Sequence, residues 1–471
     1  MKTLIMSLVV AACPYVLFAQ GSLKLSGKVV DGESGEPLTY ASVNLKGKSV
    51  GTVTNSDGLF DFYVSPQVAT DTLVIAMLGY ASYESSVNDF SNAKNAVIRL
   101  KIKPIQLEEV VITDSKLTLK DIVSKAFNNI EINYQIQPYV SSYFFRETHQ
   151  ENTRCVILVE AVLDVYDKGY KAVNGSRSGV REKVNLKNVR ASKNYRNTLF
   201  KNTVVERYNL VNSALHYNML KYRNSHAPNA PNNYMLEGIS NSNDNLVYVI
   251  SFLSNIKRYP NFERKNTLYI DASTYAIYKY QWEEYAKEGK YSEASWRLTK
   301  DSTFFTRRKR IFTTYEYERY QGKMFLKYFD ERCWDDIYNA KGDSVEFESL
   351  GHTTLLLTGL DTKTPKPEFK NLMKSEISLY SQITPYDPEF WHNFKQAVPL
   401  TKREVKDLEW EMPLEEQFTS PPPAPHLRPD SYRGFGGQAR LRRGGPAPRP
   451  TPRYSGAGSP GRRGGTPEMK K

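Results

Sequence analysis

The runs Pro37-Leu-Thr-Tyr40-Ala-Ser-Val-Asn-Leu45 and Gly51-Thr-Val-Thr-Asn-Ser-Asp57-Gly58-Leu-Phe-Asp-Phe62 decide the architecture of the N-terminal part of the chain. Ala41, Val43 and Leu45 alternate with polar residues, as do Phe60 and Phe62, and Asp57-Gly58 supplies a turn between them. Period-two alternation bounded by Gly, Pro or Asp-Gly marks short strands half-buried in a sheet. Upstream, Leu23, Leu25, Gly27 and Val29 alternate in the same way. Downstream, Leu73–Met77 is a continuous apolar run broken by Gly79, and Val97–Leu100 completes the set. About seven strands in roughly 80 residues predict a sandwich of short antiparallel strands over residues 20–103.

With Gly27-Lys-Val-Val30 added, these residues resemble the carboxypeptidase regulatory-like domain, a small β-sandwich of Ig or transthyretin type. That module is frequent at the N-terminus of exported proteins of Bacteroidetes-type bacteria. The resemblance implies export and a cell-envelope address, and it brings no activity. Leu107-Glu-Glu-Val-Val-Ile-Thr113, within a linker at 104–116, resembles the segment joining the module to the plug of TonB-dependent outer-membrane receptors. Neither a plug-like region nor a long series of barrel strands follows, which argues against such a receptor.

The N-terminus fits export on its own terms. Met1-Lys2, an apolar stretch from Leu4 to Phe18 and the small Ala19 read as a signal peptide over residues 1–19. A transmembrane helix needs about 20 apolar residues, and this run is shorter and broken by Cys13-Pro14. Val10-Ala-Ala-Cys13 also resembles a lipobox, which implies membrane association through lipidation of Cys13 as the alternative. Behind the leader only Cys155 and Cys333 remain, so disulfide scaffolding does not hold the fold. Spacing leaves open a bridge between them or two buried thiols.

The formal charge of +13 suggests nucleic acid, yet nine Arg and two Lys against Asp430 and Glu468 place +9 of it in residues 420–471. That tail also holds 11 of the 25 prolines and 10 of the 27 glycines, a composition that buries too little apolar surface to fold. It is expected to be disordered from 419 to 471. Its abrupt shift toward Arg, Gly and Pro also suggests a misjoined gene end. Arg433-Gly, Arg442-Arg-Gly-Gly445 and Arg462-Arg-Gly-Gly465 look like RGG-type repeats, but export keeps them from RNA.

A second domain is expected over 117–418. Thr118–Ile130 is its clearest helix: Leu119, Ile122, Val123, Ala126, Phe127 and Ile130 form one apolar face, and Thr118 with Asp121 makes a capping box. Strand-like runs follow at Tyr139–Thr148, Val156–Tyr166, Tyr234–Ile239, Leu246–Phe252, Leu268–Asp271, Ala276–Trp282, Thr313–Tyr320 and Met324–Cys333. Turn signals such as Gln321-Gly322 pair them into hairpins, which predicts one large, curved antiparallel sheet with few helices. Lys183–Asn197 and Asn224–Asn233, rich in Lys, Asn, Arg and Pro, read as exposed loops. Leu268-Tyr-Ile-Asp-Ala-Ser-Thr-Tyr-Ala-Ile277 resembles the strand-turn-strand of lipoprotein-carrier-like half-barrels, where a curved sheet cups an apolar ligand. The whole order, closing at Leu408–Phe418, resembles a set of uncharacterised envelope proteins that carry the regulatory-like module.

Reactive chemistry is hard to find in the sequence. None of the six histidines sits in an HxxE or HExxH pattern, so the zinc site of a carboxypeptidase does not accompany its accessory module. Gly47-Lys-Ser49-Val-Gly51 matches the nucleophile-elbow pattern but falls in a sandwich loop rather than a strand-to-helix turn. Glu283-Glu284 and Asp335-Asp336 are adjacent pairs on strands, so their members point to opposite faces and read as solvated rather than as converging acid and base. Tyr275, Tyr278, Tyr280 and Trp282 alternate along one strand; one face packs in the core and the other is available to line a groove for sugar or lipid. No catalytic residue, metal ligand or cofactor is assigned. The expectation is a mainly β, non-enzymatic envelope protein of the periplasm, outer membrane or cell surface, with a binding or structural role toward an unidentified envelope partner, a glycan or lipid being the candidates. A lipid-handling cup and a hydrolase with an unrecognised site are the alternatives.

Overall fold

The structure, a computed structural model, describes residues 22–48, 51–93, 96–103, 117–171, 182–192, 209–216, 218, 220–221, 233–242, 245–255, 261–287, 296–297, 304–339, 344–363 and 366–419. The leader with Cys13, Ser49, the 104–116 segment, almost all of Asn224–Asn233 and the 420–471 tail lie outside these residues.

Seven strands build the N-terminal sandwich: β1 (Leu23–Asp31), β2 (Ser42–Leu45), β3 (Gly51–Val53), β4 (Leu59–Val64), β5 (Thr72–Ala76), β6 (Tyr83–Ser86) and β7 (Ala96–Leu100). They form two sheets, ordered β4-β1-β7 and β3-β2-β5-β6. One pairing departs from the antiparallel expectation, since β7 runs parallel to β1. The connection from β6 to β7 contains a short helix, α1 (Val87–Asn92), whose Val87 and Phe90 enter the core. The alternating residues do what the pattern requires: Leu25, Val29, Ala41, Val43, Leu45, Phe60 and Phe62 are all buried in one cluster. Asp57-Gly58 turns the chain because Gly58 sits at φ +74°, where a Cβ would lie 2.4 Å from the Val29 carbonyl oxygen.

The second body is one antiparallel sheet of eleven strands. Helices α2 (Leu119–Asn128) and α3 (Ile130–Asn133) lead into β8 (Tyr139–Glu151), β9 (Arg154–Asp167) and β10 (Lys183–Ala191). After α4 (Leu210–His216), a meander runs through β11 (Met235–Ser242), β12 (Asn245–Asn255), β13 (Phe262–Asp271), β14 (Ile277–Ala286), β15 (Trp296–Arg297), β16 (Phe304–Tyr320), β17 (Lys323–Asn339) and β18 (Ser344–Asp361). The order is β10-β9-β8-β18-β17-β16-β14-β13-β12-β11, with β15 added on β16. The last strand, β18, thus pairs with the first, β8, and joins the two halves. Bulges interrupt the register in several ladders, including Arg308/Arg310 and Glu316/Tyr317, and each bends its strand and increases local twist.

Lys183–Asn197 needs correction, because Lys183–Ala191 is the buried edge strand β10 and not a loop. Its open side is covered by residues 371–373, with the Leu186 amide donating to the Asn371 carbonyl and the Met373 amide to that of Val184. The expected close at Leu408–Phe418 is helical: α5 (Pro388–Asn393), α6 (Lys402–Leu408) and α7 (Leu414–Thr419) complete the described chain.

The sheet is covered on both faces. On one, α2, α3 and α4 bury Ile122, Val123, Phe127, Ile130, Val211 and Leu215 against Tyr143, Phe145, Tyr315, Phe329 and Leu355. On the other, the C-terminal helices set Trp391 against Phe144 and Val162, and Leu408, Leu414 and Phe418 against Leu158 and Cys155. The sandwich packs on another part of that second face, with Val53 against Tyr328 and Leu356.

Candidate functional site

Where the sandwich meets the sheet, alternation along β17 places Tyr328, Asp330 and Arg332 on one face and Phe329, Glu331 and Cys333 on the other. His352 of β18 stands directly opposite Arg332. Tyr40, just before β2, completes the junction. Asp330 is buried and accepts from Tyr328 Oη at 3.2 Å and pairs with His352 Nε2 at 2.6 Å and Arg332 Nε at 3.4 Å. Arg332 Nη2 donates to Tyr40 Oη at 2.5 Å, and Tyr40 Oη lies 3.2 Å from His352 Nε2.

Burial alone would raise the Asp330 carboxyl, but His352 and Arg332 outweigh it and hold it below the usual range. Burial pushes the Tyr40 hydroxyl up, so it stays protonated. Tyr40 also has φ +63°, a left-handed conformation that costs a non-glycine residue on the order of 1–3 kcal/mol and tends to mark functional positions. Its ring packs at a tilt against Tyr328, centroids 5.3 Å apart, and lies under the Arg332 guanidinium at 5.1 Å, which offsets that strain.

Beyond this junction the two bodies part to form an open cleft of about 1150 Å³. Ser42 and Asn44 of β2 form one wall; Tyr269, Gln281, Phe312 and Thr314 of β13, β14 and β16 form the floor. Direct bridges cross it, from Lys327 Nζ to Ser42 Oγ and from Asn44 Nδ2 to Glu318 Oε1, both at 2.6 Å. The cleft therefore presents aromatic faces, amides and hydroxyls together.

The helix-covered face of the same strands holds a second constellation. Glu284 is paired with Arg264, Asp335 with Arg308, and Glu147 with His149 at 2.7 Å. Glu331 stands among them on β17 and accepts from Thr313 Oγ1 at 3.1 Å. Burial pushes its carboxyl up to about 7, against the pull of Thr313 and Arg308. Burial likewise raises Asp335 despite Arg308, and keeps the Cys333 thiol protonated.

Glu283-Glu284 and Asp335-Asp336 are corrected here. Adjacent members do face opposite ways, yet Glu284 and Asp335 share one face with Glu331, and Glu284, Asp335 and Asp336 are buried in ion pairs rather than solvated. Of the aromatic set, Tyr280 is core and donates to Asn266, Tyr278 borders the cleft and donates to Asp271, and Trp282 lies beneath Arg264 at 4.8 Å. Cys155 and Cys333 are unbridged; Cys155 is buried and Cys333 partly so. Among the described residues no group of three His, Cys, Asp or Glu could hold a metal ion, and no helix is long and apolar enough to cross a membrane.

Nothing in the sequence singles out His352 or Glu331, which meet their partners only across strands. The one visible trace was Tyr40 beside a strand that otherwise alternates cleanly.

Compared with known proteins, residues 25–112 match the CarboxypepD_reg-like domain, so the N-terminal module belongs to that family. No curated protein matches the chain. Among solved structures, a LolA superfamily protein, NE2245, from Nitrosomonas europaea is 14% identical over 53% of this chain and 96% of its own, with a TM-score of 0.23. A putative outer membrane lipoprotein-sorting protein domain from Vibrio parahaemolyticus is 11% identical over 52% and 94%, with a TM-score of 0.24. A putative membrane-associated protein of unknown function from Bacteroides fragilis is 10% identical over 72% and 99%, with a TM-score of 0.14. At such TM-scores these likenesses carry no argument about what the chain does.

Proposed function

We propose that this chain is an exported cell-envelope protein that works by binding rather than catalysis, and that the ligand sits in the cleft between the regulatory-like sandwich and the large sheet. The observation that carries this reading is the cleft itself, a concave site with convergent polar groups beside a strained and tightly held Tyr40. The module supports a periplasmic or outer-membrane address, since the resemblance implies export.

Native mass spectrometry of the protein from its own envelope fraction, set against its denatured intact mass, tests the reading. A co-purifying small ligand that Gln281→Ala loses is expected. A bare chain whose partners are insensitive to cleft substitutions would replace binding of a small ligand with a scaffolding role. A bound acyl lipid would favour the lipid-handling alternative. That alternative has less support on the helix-covered face, where Tyr134, Tyr170, Tyr317 and Phe329 fill the space beneath α2 and α3.

One observation favours a hydrolase as a second reading. Glu331, whose carboxyl burial pushes up to about 7, shares a sheet face with the Arg-paired carboxylates Glu284 and Asp335, an arrangement suited to a general acid. Hydrolysis of envelope glycan that is abolished by Glu331→Gln would replace the non-enzymatic reading.

A further inference from the structure

We propose that the cleft takes a neutral, hydroxyl-rich oligosaccharide, an inference that rests on the binding reading above and narrows it to a ligand class. The floor is a polar strip fixed by strand register. Gln281 of β14 stands opposite Thr314 of β16 and is reached by Tyr269 of β13. Tyr269 Oη donates to Gln281 Oε1, and Gln281 Nε2 to Thr314 Oγ1, each at 3.1 Å. Phe312 precedes Thr314 by two residues and shares its face. A planar amide, hydroxyls and aromatic faces side by side can hydrogen-bond the edge of a sugar ring while packing on its apolar C–H face. On β11, the buried Ser240 Oγ lines the cleft with no hydrogen-bond partner among the described residues, leaving a donor and acceptor to be satisfied.

Charge narrows the class. The cleft's ionised side chains are largely matched: Lys279 with Glu316 at 2.8 Å, Lys327 with Glu318 at 3.0 Å, Lys46 with Glu84 at 3.0 Å, and Asp330 with His352 and Arg332. A charged ligand would have to compete with one of these pairs, whereas a polyol can bond to the amides and hydroxyls and leave the pairs intact. An acyl chain would strip water from those polar groups without replacing it, at about 1–3 kcal/mol for each group left unsatisfied. The volume of about 1150 Å³ exceeds the ~300–1,000 Å³ usual for a drug-sized ligand, which suits several linked rings better than one.

The test is isothermal titration of the full chain with neutral oligosaccharides (malto-, cello-, laminari- and chito-hexaose), with polygalacturonate, and with phosphatidylglycerol vesicles. The wild type is expected to bind a neutral oligosaccharide with an affinity indifferent to salt. Gln281→Ala and Thr314→Val are expected to weaken it at least about tenfold, roughly 1.4 kcal/mol, while each variant keeps a native circular dichroism spectrum and a cooperative melt above the titration temperature. Asn44→Ala on the opposite wall repeats the test if a sheet variant fails to fold. Binding of polygalacturonate or vesicles alone, weakened by the same variants, would overturn the neutral class and leave the cleft as the site. Binding of none of the probes, or binding indifferent to all three variants, would overturn both.

Discussion

Glu331 holds its proton well above the range usual for a carboxyl. Its carboxyl ordinarily loses the proton near 4.5 and in the folded chain holds it up to about 7, because partial burial penalises the charge and Thr313 with Arg308 does not fully compensate. The native state therefore binds this proton more tightly than the unfolded state does. The sign follows: stability falls as pH rises from about 4.5 to about 7 and is level above. Glu331→Gln should be more stable than the wild type at pH 8, by on the order of 1–3 kcal/mol, and nearly equal to it at pH 4.5. Urea midpoints at the two pH values check this, and an equal shift at both would refute it. Such a residue was illegible in the sequence, because what singles it out is which side chains stand opposite. Arg264 and Arg308, which neutralise Glu284 and Asp335, lie 20 and 27 positions from their partners and meet them only across strands.

Elements were legible where one face is buried and the period is unbroken. In α2 the expected capping box is present, with Thr118 Oγ1 accepting from the Asp121 amide at 3.2 Å and Asp121 accepting from the Thr118 amide at 2.9 Å. Thr118→Ala should cost about 1 kcal/mol in a chemical melt; no change would mean that packing of Ile122 and Phe127 alone sets the helix start. The strands that escaped reading have physical reasons. In β10, the bulge between Leu186 and Asn188 shifts the buried positions from Val184 and Leu186 to Val189 and Ala191, which destroys the period-two signal. In β18, Leu355, Leu356 and Leu357 are all buried because both faces of the sheet are covered there, so alternation disappears. The C-terminal helices are too short to show a period, and α5 is held by a single large anchor. Trp391 donates from Nε1 to Asn188 Oδ1 at 2.8 Å, and the Arg190 guanidinium lies over its ring at 3.9 Å. Arg190 and Arg146 in turn clasp the buried Glu160. Trp391→Ala should cost about 3–5 kcal/mol and raise amide exchange in α5 through α7 first. Exchange that rises evenly over the whole sheet would show that this segment is not a separate strap.

At the scale of the molecule, the question is whether sandwich and sheet unfold together. Each has its own core, and the sandwich core shares no residue with that of the sheet. Among the described residues they are joined by a small apolar contact of Val53 with Tyr328 and Leu356, the Asn55 side-chain bond to the Pro399 carbonyl at 3.2 Å, the Lys327–Ser42 and Asn44–Glu318 bridges, and the network centred on Asp330. A contact of this size couples two bodies only if its buried polar groups are fully matched, since a buried charge without its partner costs more than the intact pair contributes. Asp330→Asn keeps the shape but leaves Arg332 and His352 facing a neutral amide in a buried setting. It should cost about 2–4 kcal/mol, and the loss should fall on the junction rather than on either core. Scanning calorimetry is therefore expected to show one cooperative transition for the wild type and two for Asp330→Asn, with the upper one unmoved. Because Tyr40 is held in its left-handed conformation by the same network, the variant should also weaken ligand binding in the cleft without touching its floor. A single transition shifted as a whole, with ligand affinity retained, would show instead that the two bodies are coupled through their apolar contact and that the polar junction is incidental to both stability and binding.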